Sequence, residues 1–148
     1  VLIDEFFSLL QECRVCVLAT SSIDAEPPGA APCFFAWQRD PLVLFVASDA
    51  HTRHIRQGLR QQEMAGAAYV EGQPIAALRG VQFRGRLGPV TDRAAAKAVY
   101  LQRFPEAEAW LGATALWGLE LNWLKWTDNR RGFGFKQRAR FTDGVWVT

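Results

Sequence analysis

The sequence has no apolar run long enough to cross a membrane, and it is short of the residues that build disulfide frameworks. Its longest apolar runs are strand-sized, such as 42–47 (LVLFVA), far below the ~20 residues of a spanning helix. There are three cysteines, Cys13, Cys16 and Cys33; an odd number argues against a disulfide framework, and a reducing cytoplasm is the simpler expectation. The net charge of +2 is too small to imply nucleic-acid binding by itself. Charged residues at 22% against hydrophobic residues at 49% exclude a disordered chain. A length of 148 residues suits one domain, 1–148, with a single core. The chain opens at Val1 inside an apolar pattern, so a trimmed start is expected, and no signal peptide is visible.

What is present is strand pattern interrupted by a few helices. Leu2, Phe6 and Leu10 lie four apart, which predicts an amphipathic helix over 2–12. Strands are expected at 14–20, 31–37 and 41–48, the last two joined by Gln38-Arg39-Asp40. A helix follows from Thr52 to about Gln62, then strands at 64–71 and 80–90. Thr91 reads as the N-cap of a further helix that Pro105 interrupts. Strands at 115–126 and 133–141 and a turn at Asp143-Gly144 complete the chain. The order predicts a mainly β (α+β) fold, a small antiparallel barrel of about six strands with short helices over its openings.

Three segments draw attention: 48–54 (SDAHTRH), 80–85 (GVQFRG) and 124–136 (LKWTDNRRGFGFK). None contains an acid–base pair or nucleophile triad, which suggests a barrel that holds an anionic cofactor and leaves the chemistry to it. Residues 48–54 join a buried strand to a helix start, where free N–H groups and the helix dipole favour an anion. Thr52 can offer a hydroxyl and Arg53 a fork of two parallel hydrogen bonds; the simpler alternative is that Ser48 or Asp49 caps the helix and Arg53 points into water. Cys13 and Cys16 with His51 and His54 could in principle form a zinc site. Cys16 lies in an apolar strand, however, and the histidine spacing is shorter than usual, so structural thiols and no metal are expected. Lys136, Arg138 and Arg140 alternate on one strand face after Arg130 and Arg131. A solvated face is the default there, with RNA or an acidic partner as the alternative. Trp117 and Trp123 are expected on one face of their strand and Trp126 on the other. With Trp110 and Phe133 they are candidates for core and interface anchors.

The element order, with GVQFRG, RFP at 103–105 and LKWTDNRRGFG, resembles the YhbP-like group of the pyridoxamine-5′-phosphate-oxidase-like split-barrel superfamily over nearly the whole chain. The resemblance implies a six-stranded antiparallel split barrel with short peripheral helices. It further implies a homodimer, with FMN in a cleft shared by the subunits. In the oxidases a Ser/Thr ending the third strand is followed four positions on by a Ser-Arg-Lys run that grips the flavin phosphate. Ser48, Thr52 and Arg53 match, and His54 stands at the lysine position. Backbone groups of Pro32, Cys33 and Phe34 would face the isoalloxazine ring, and Gly80 stands where the oxidases place a glutamine.

The arginine opening the oxidases' second strand and their C-terminal Arg-x-His-x-Arg segment are missing, which argues against a true pyridoxamine 5′-phosphate oxidase. The implied function is an FMN-dependent oxidoreductase acting on a small molecule, with hydride transfer at the flavin and no catalytic side chain to name. A non-catalytic flavin- or ligand-binding protein is the alternative, and F420 or haem could replace FMN.

Overall fold

The computed structural model describes residues 2–23, 25–61 and 63–148. Gln62, the expected end of the second helix, lies outside the described residues. Helix α1 spans Leu2–Glu12, as its periodicity predicts. Strands β1 (Val15–Thr20), β2 (Gly29–Gln38) and β3 (Val43–Ala47) follow, then helix α2 (Arg53–Arg60) and strands β4 (Met64–Tyr69) and β5 (Arg79–Pro89). Helix α3 spans Arg93–Arg103, followed by strands β6 (Leu116–Asp128), β7 (Lys136–Thr142) and β8 (Val145–Val147). Two expectations shift. The cap of α3 is Asp92, whose carboxylate accepts from the Ala95 N–H, rather than Thr91. The seventh strand begins at Lys136 because the glycine-flanked stretch before it is a 3-10 turn and loop.

All strand pairs are antiparallel. The sheet order β3-β2-β1-β4-β5-β6 closes on itself through a β3–β6 pairing, and β7 and β8 extend beyond β6. Closure leaves a six-stranded split barrel with few bare edges. Its interior is filled by Leu18, Phe35, Leu44, Phe83, Leu119, Leu124 and Trp126, with Phe6 and Leu10 of α1 inserted among them. Phe6 meets Trp126 edge-on at 5.9 Å. Each such buried side chain contributes about 1.5–3 kcal/mol over its exposed state. A second cluster lies outside the barrel, where Tyr100 of α3 and Phe104, the residue that ends the helix, cover Ala36, Phe45 and Leu116.

Strand β6 changes phase midway. Arg84 pairs with Trp123 but Gly85 pairs with Leu121, which leaves Asn122 as the extra residue of a bulge. Gly85 is required there, since a Cβ would lie 2.2 Å from the Glu120 carbonyl oxygen. The bulge overturns the expected tryptophan arrangement. Trp117 and Trp126 both contact the barrel interior, and Trp123 is on the outer face, stacked by the Arg84 guanidinium at 4.2 Å.

Candidate functional site

Ser48 follows β3 by one residue, its N–H donating to the Ala115 carbonyl and its own carbonyl accepting from Trp117 Nε1 at 2.9 Å. From this anchored point a single turn leads into α2. Thr52 is the N-cap residue, but its hydroxyl donates to the Asp49 carbonyl at 2.8 Å and makes no capping bond. Asp49 accepts instead from the His51 N–H at 2.7 Å. The first N–H groups of the helix therefore lack a capping side chain.

The side chains of Ser48, Thr52 and His54 meet: Ser48 Oγ lies 2.9 Å from His54 Nε2 and 3.2 Å from Thr52 Oγ1. Burial holds the His54 pKa below its usual value and so favours the uncharged ring. Arg53 is exposed and, among the described residues, has no hydrogen bond or ion pair. Its guanidinium lies against the first residue of β2, where a Cβ on Gly29 would sit 3.1 Å from Nη2. Beneath it, Thr20 Oγ1 donates to the buried Gln57 Oε1 at 2.6 Å, and Gln57 Nε2 donates to the Pro27 carbonyl at 3.1 Å. These bonds pin α2 to the ends of β1 and β2.

Beyond Gly29, β2 has a strand partner on one side only. It pairs with β1 from Gly29 to Phe34 but meets β3 only from Phe35 onward. The Phe35 N–H donates to Arg14 across the β1 side, so by alternation the backbone groups of Ala30, Pro32 and Phe34 face the open edge. Pro32, with no N–H, suits an edge position. Cys33 is half-buried against the core, while Phe34 is exposed and meets Phe104 edge-on at 5.5 Å.

Ser48, Thr52 and His54 are thus gathered at the start of α2, and Arg53 beside them in sequence reaches the first residue of β2, whose open edge carries Pro32 and Phe34; the backbone groups of Cys33 turn instead toward β1. Gly80 is not gathered with them. It stands on β5, three strands from β2 either way round the closed barrel. Gly29, Thr20 and Gln57 carried no sequence signal, because their role depends on the register of β1 against β2.

The cysteine and histidine pairs stay apart. Cys13 and Cys16 lie in the core, burial pushing the Cys13 thiol up to about 11 and Cys16 higher still. His51 is exposed, and among the described residues no three potential metal ligands gather.

The segments singled out in the sequence hold the fold. Phe83 of GVQFRG fills the barrel and its Gly85 admits the bulge. Arg103 of RFP donates to the Gln11 and Cys13 carbonyls, clasping the end of α1, while Phe104 enters the outer cluster. In TDN…GFG, Asp128 accepts from the Arg130 N–H, Nε and Nη2, and Asn129 bridges the Ile75 carbonyl and the Gly134 N–H at 2.8 and 2.9 Å. Arg131 is tied to Glu5, so neither arginine of that turn joins the β7 face. Among the described residues no helix is long and apolar enough to cross a membrane.

A family model described as pyridoxamine 5'-phosphate oxidase matches residues 2–127. A UPF0306 protein of Yersinia pseudotuberculosis serotype O:3 (strain YPIII) is 34% identical over 108 residues, 72% of each chain. Among solved structures, a pyridoxamine 5'-phosphate oxidase-related, FMN-binding protein of Nostoc punctiforme shares the fold with a TM-score of 0.67 at 15% identity, over 98% of this chain and 90% of that one. A heme-binding protein of Mycobacterium smegmatis gives 0.73 at 17% identity, over 89% of this chain and 55% of that one, so this chain spans about half its length. With the closed barrel and its order of strands, these matches show that the chain belongs to the pyridoxamine 5'-phosphate oxidase family of split barrels and, within it, to the UPF0306 group.

Proposed function

We propose that the protein binds FMN and works as an FMN-dependent oxidoreductase on a small molecule. The observation that carries this reading is Arg53, unpaired against Gly29 at an uncapped helix start beside the open edge of β2. The residues fit a phosphate. Arg53 offers a permanent cation, Ser48 and Thr52 offer hydroxyls, and the helix start offers N–H groups. His54, whose uncharged form burial favours and which is bonded to Ser48, orients that hydroxyl where the oxidases would supply a second charge. The open edge at Ala30, Pro32 and Phe34 offers backbone groups to the polar rim of a flavin ring, and Phe34 offers an apolar surface. When bound, FMN supplies the electron-transfer chemistry; the chain's residues bind it, orient it and exclude water.

Dimerisation and a cytoplasmic setting belong to the same proposal. Three neighbouring strands present only small or apolar residues outward: Ala30 and Pro32 on β2 lie beside Ala19 and Val17 on β1, which lie beside Ala65 and Ala67 on β4. Phe34 and Tyr69, 55% and 58% exposed, continue the patch. A second copy docked on this face would cover the β2 edge and enclose the cleft. Three free thiols suit a reducing compartment.

A ligand-carrying role without catalysis is the second reading, and the heme-binding relative favours keeping it. A visible spectrum of freshly purified protein tests both. Flavin bands support the first reading, and turnover with NAD(P)H separates an oxidoreductase from a carrier. A Soret band in place of flavin bands would overturn FMN as the cofactor.

A further inference from the structure

The outer face of the sheet turns from apolar to basic as it passes from β4 to β7. Printed across three strands, its rows read Arg84–Trp123–Arg140, Gln82–Lys125–Arg138 and Gly80–Thr127–Lys136. The bulge at Asn122 is what brings Trp123, Lys125 and Thr127 to this face, since it places Leu124 and Trp126 inside. Five of these nine positions are cations and none is a carboxylate.

The low net charge conceals this face because the acids are engaged elsewhere. Glu5, Glu12, Glu26, Glu106 and Asp128 pair with Arg131, Arg79, Arg56, Arg14 and Arg130. Among the described residues, the side chains of Lys125, Lys136, Arg138 and Arg140 have no hydrogen bond or ion pair, and the Arg84 guanidinium stacks on the Trp123 ring. A cleft of about 320 Å³ lies at Trp123, lined also by Glu63, Arg84, Asn122, Arg140 and Phe141. Beyond Lys136, Phe133 projects from its loop with 85% of its surface exposed.

We propose that this face binds single-stranded nucleic acid. The cations span three strands, about 10 Å across, and four residues along them, about 14 Å, which suits several consecutive phosphates rather than one. Trp123 at one end and Phe133 at the other provide flat apolar surfaces for bases, the combination on which sequence-tolerant single-strand binding rests. A second copy of the chain is a poor occupant, because five cations would face five. An acidic peptide would satisfy the charges but leave the two aromatic surfaces without a role. The proposal is independent of flavin binding, since Arg53 and the β2 edge are not part of this face.

The test is fluorescence anisotropy of the full chain with a labelled mixed-sequence 12-nucleotide RNA and its DNA counterpart, from 50 to 200 mM salt. Binding should weaken as salt rises, with a log–log slope of about 0.7 per phosphate contact. The double variant Arg138→Glu/Arg140→Glu, checked for folding by circular dichroism, should lose at least about tenfold in affinity and flatten that slope. Trp123→Phe should keep most of the affinity but lose the quenching of tryptophan emission on binding. No binding at 50 mM salt, binding indifferent to the charge reversal, or displacement by poly-glutamate as effective as by unlabelled RNA would each overturn the proposal.

Discussion

Gly29 and Arg53 are complementary: the missing side chain of one leaves the room that the guanidinium of the other occupies, with a Cβ there falling 3.1 Å from Nη2 and 3.4 Å from Nε. If Arg53 grips the flavin phosphate, Arg53→Ala weakens FMN binding by about 1.5–3 kcal/mol, the range for a charge-assisted hydrogen bond. Riboflavin, which has no phosphate, should bind the variant and the parent alike. Titration of apo-protein with both ligands decides it, and equal losses would remove Arg53 from the phosphate site. Gly29→Ala should shift the balance the same way by a smaller amount.

His54 gives the fold a pH dependence. Burial lowers its pKa in the folded state, whereas the unfolded chain keeps a value near 6.5. The unfolded state therefore takes up a proton first as pH falls, and its contribution to stability, complete above 6.5, is lost on acidification through the folded value. Thermal melts between pH 7.5 and 5 should show a falling midpoint, with a shallower fall in His54→Gln. Identical slopes in both proteins would show that His54 does not contribute.

Gly85 allows the β6 bulge. In Gly85→Ala the new methyl meets the Glu120 carbonyl oxygen at 2.2 Å, a backbone atom that cannot swing away. A loss of about 1–3 kcal/mol or more is expected, read as a lower urea midpoint with an unchanged slope.

Asn129 separates fold from site. Its buried amide holds the Ile75 carbonyl and the Gly134 N–H, so Asn129→Ala should cost about 1–3 kcal/mol. Its FMN affinity should equal the parent's at a temperature where both are folded; a selective loss of FMN would bring this loop into the binding site.

The proposed dimer rests on the β2–β1–β4 face rather than on the tryptophans. Val17, in the middle of that face, is 36% exposed. Val17→Glu should turn a dimer of at least ~1,600 Å² total interface into a folded monomer, as seen by light scattering at micromolar concentration. A dimer that survives this change is built on another face.

Most of the barrel was legible because its strands alternate or run apolar, and helix α1 because Leu2, Phe6 and Leu10 lie four apart. Residues 48–54 were legible as a strand-to-helix junction. What the sequence concealed were relations between distant segments. The direction of Trp123 depends on a bulge that only the pairing of β5 with β6 defines. The open edge at Pro32 depends on where β3 stops. The pinning of α2 depends on Thr20 and Gln57, 37 positions apart. The basic face was legible only as the alternation of Lys136, Arg138 and Arg140; pairing removes Arg130 and Arg131 from it, while Arg84 and Lys125 join from other strands.

Strand β6 also divides the chain into two parts that can change separately. Its first half closes the barrel against β3, and its second half, after the bulge, carries β7. The family model's match ends at residue 127, one residue short of the end of that strand. The hairpin beyond adds Ala139 to the buried core, with Trp146 packed at its margin. Substitutions on the outer face of β7 can therefore retune what this surface attracts while the vessel behind it keeps its shape, much as a handle can be recast without reforging the bowl.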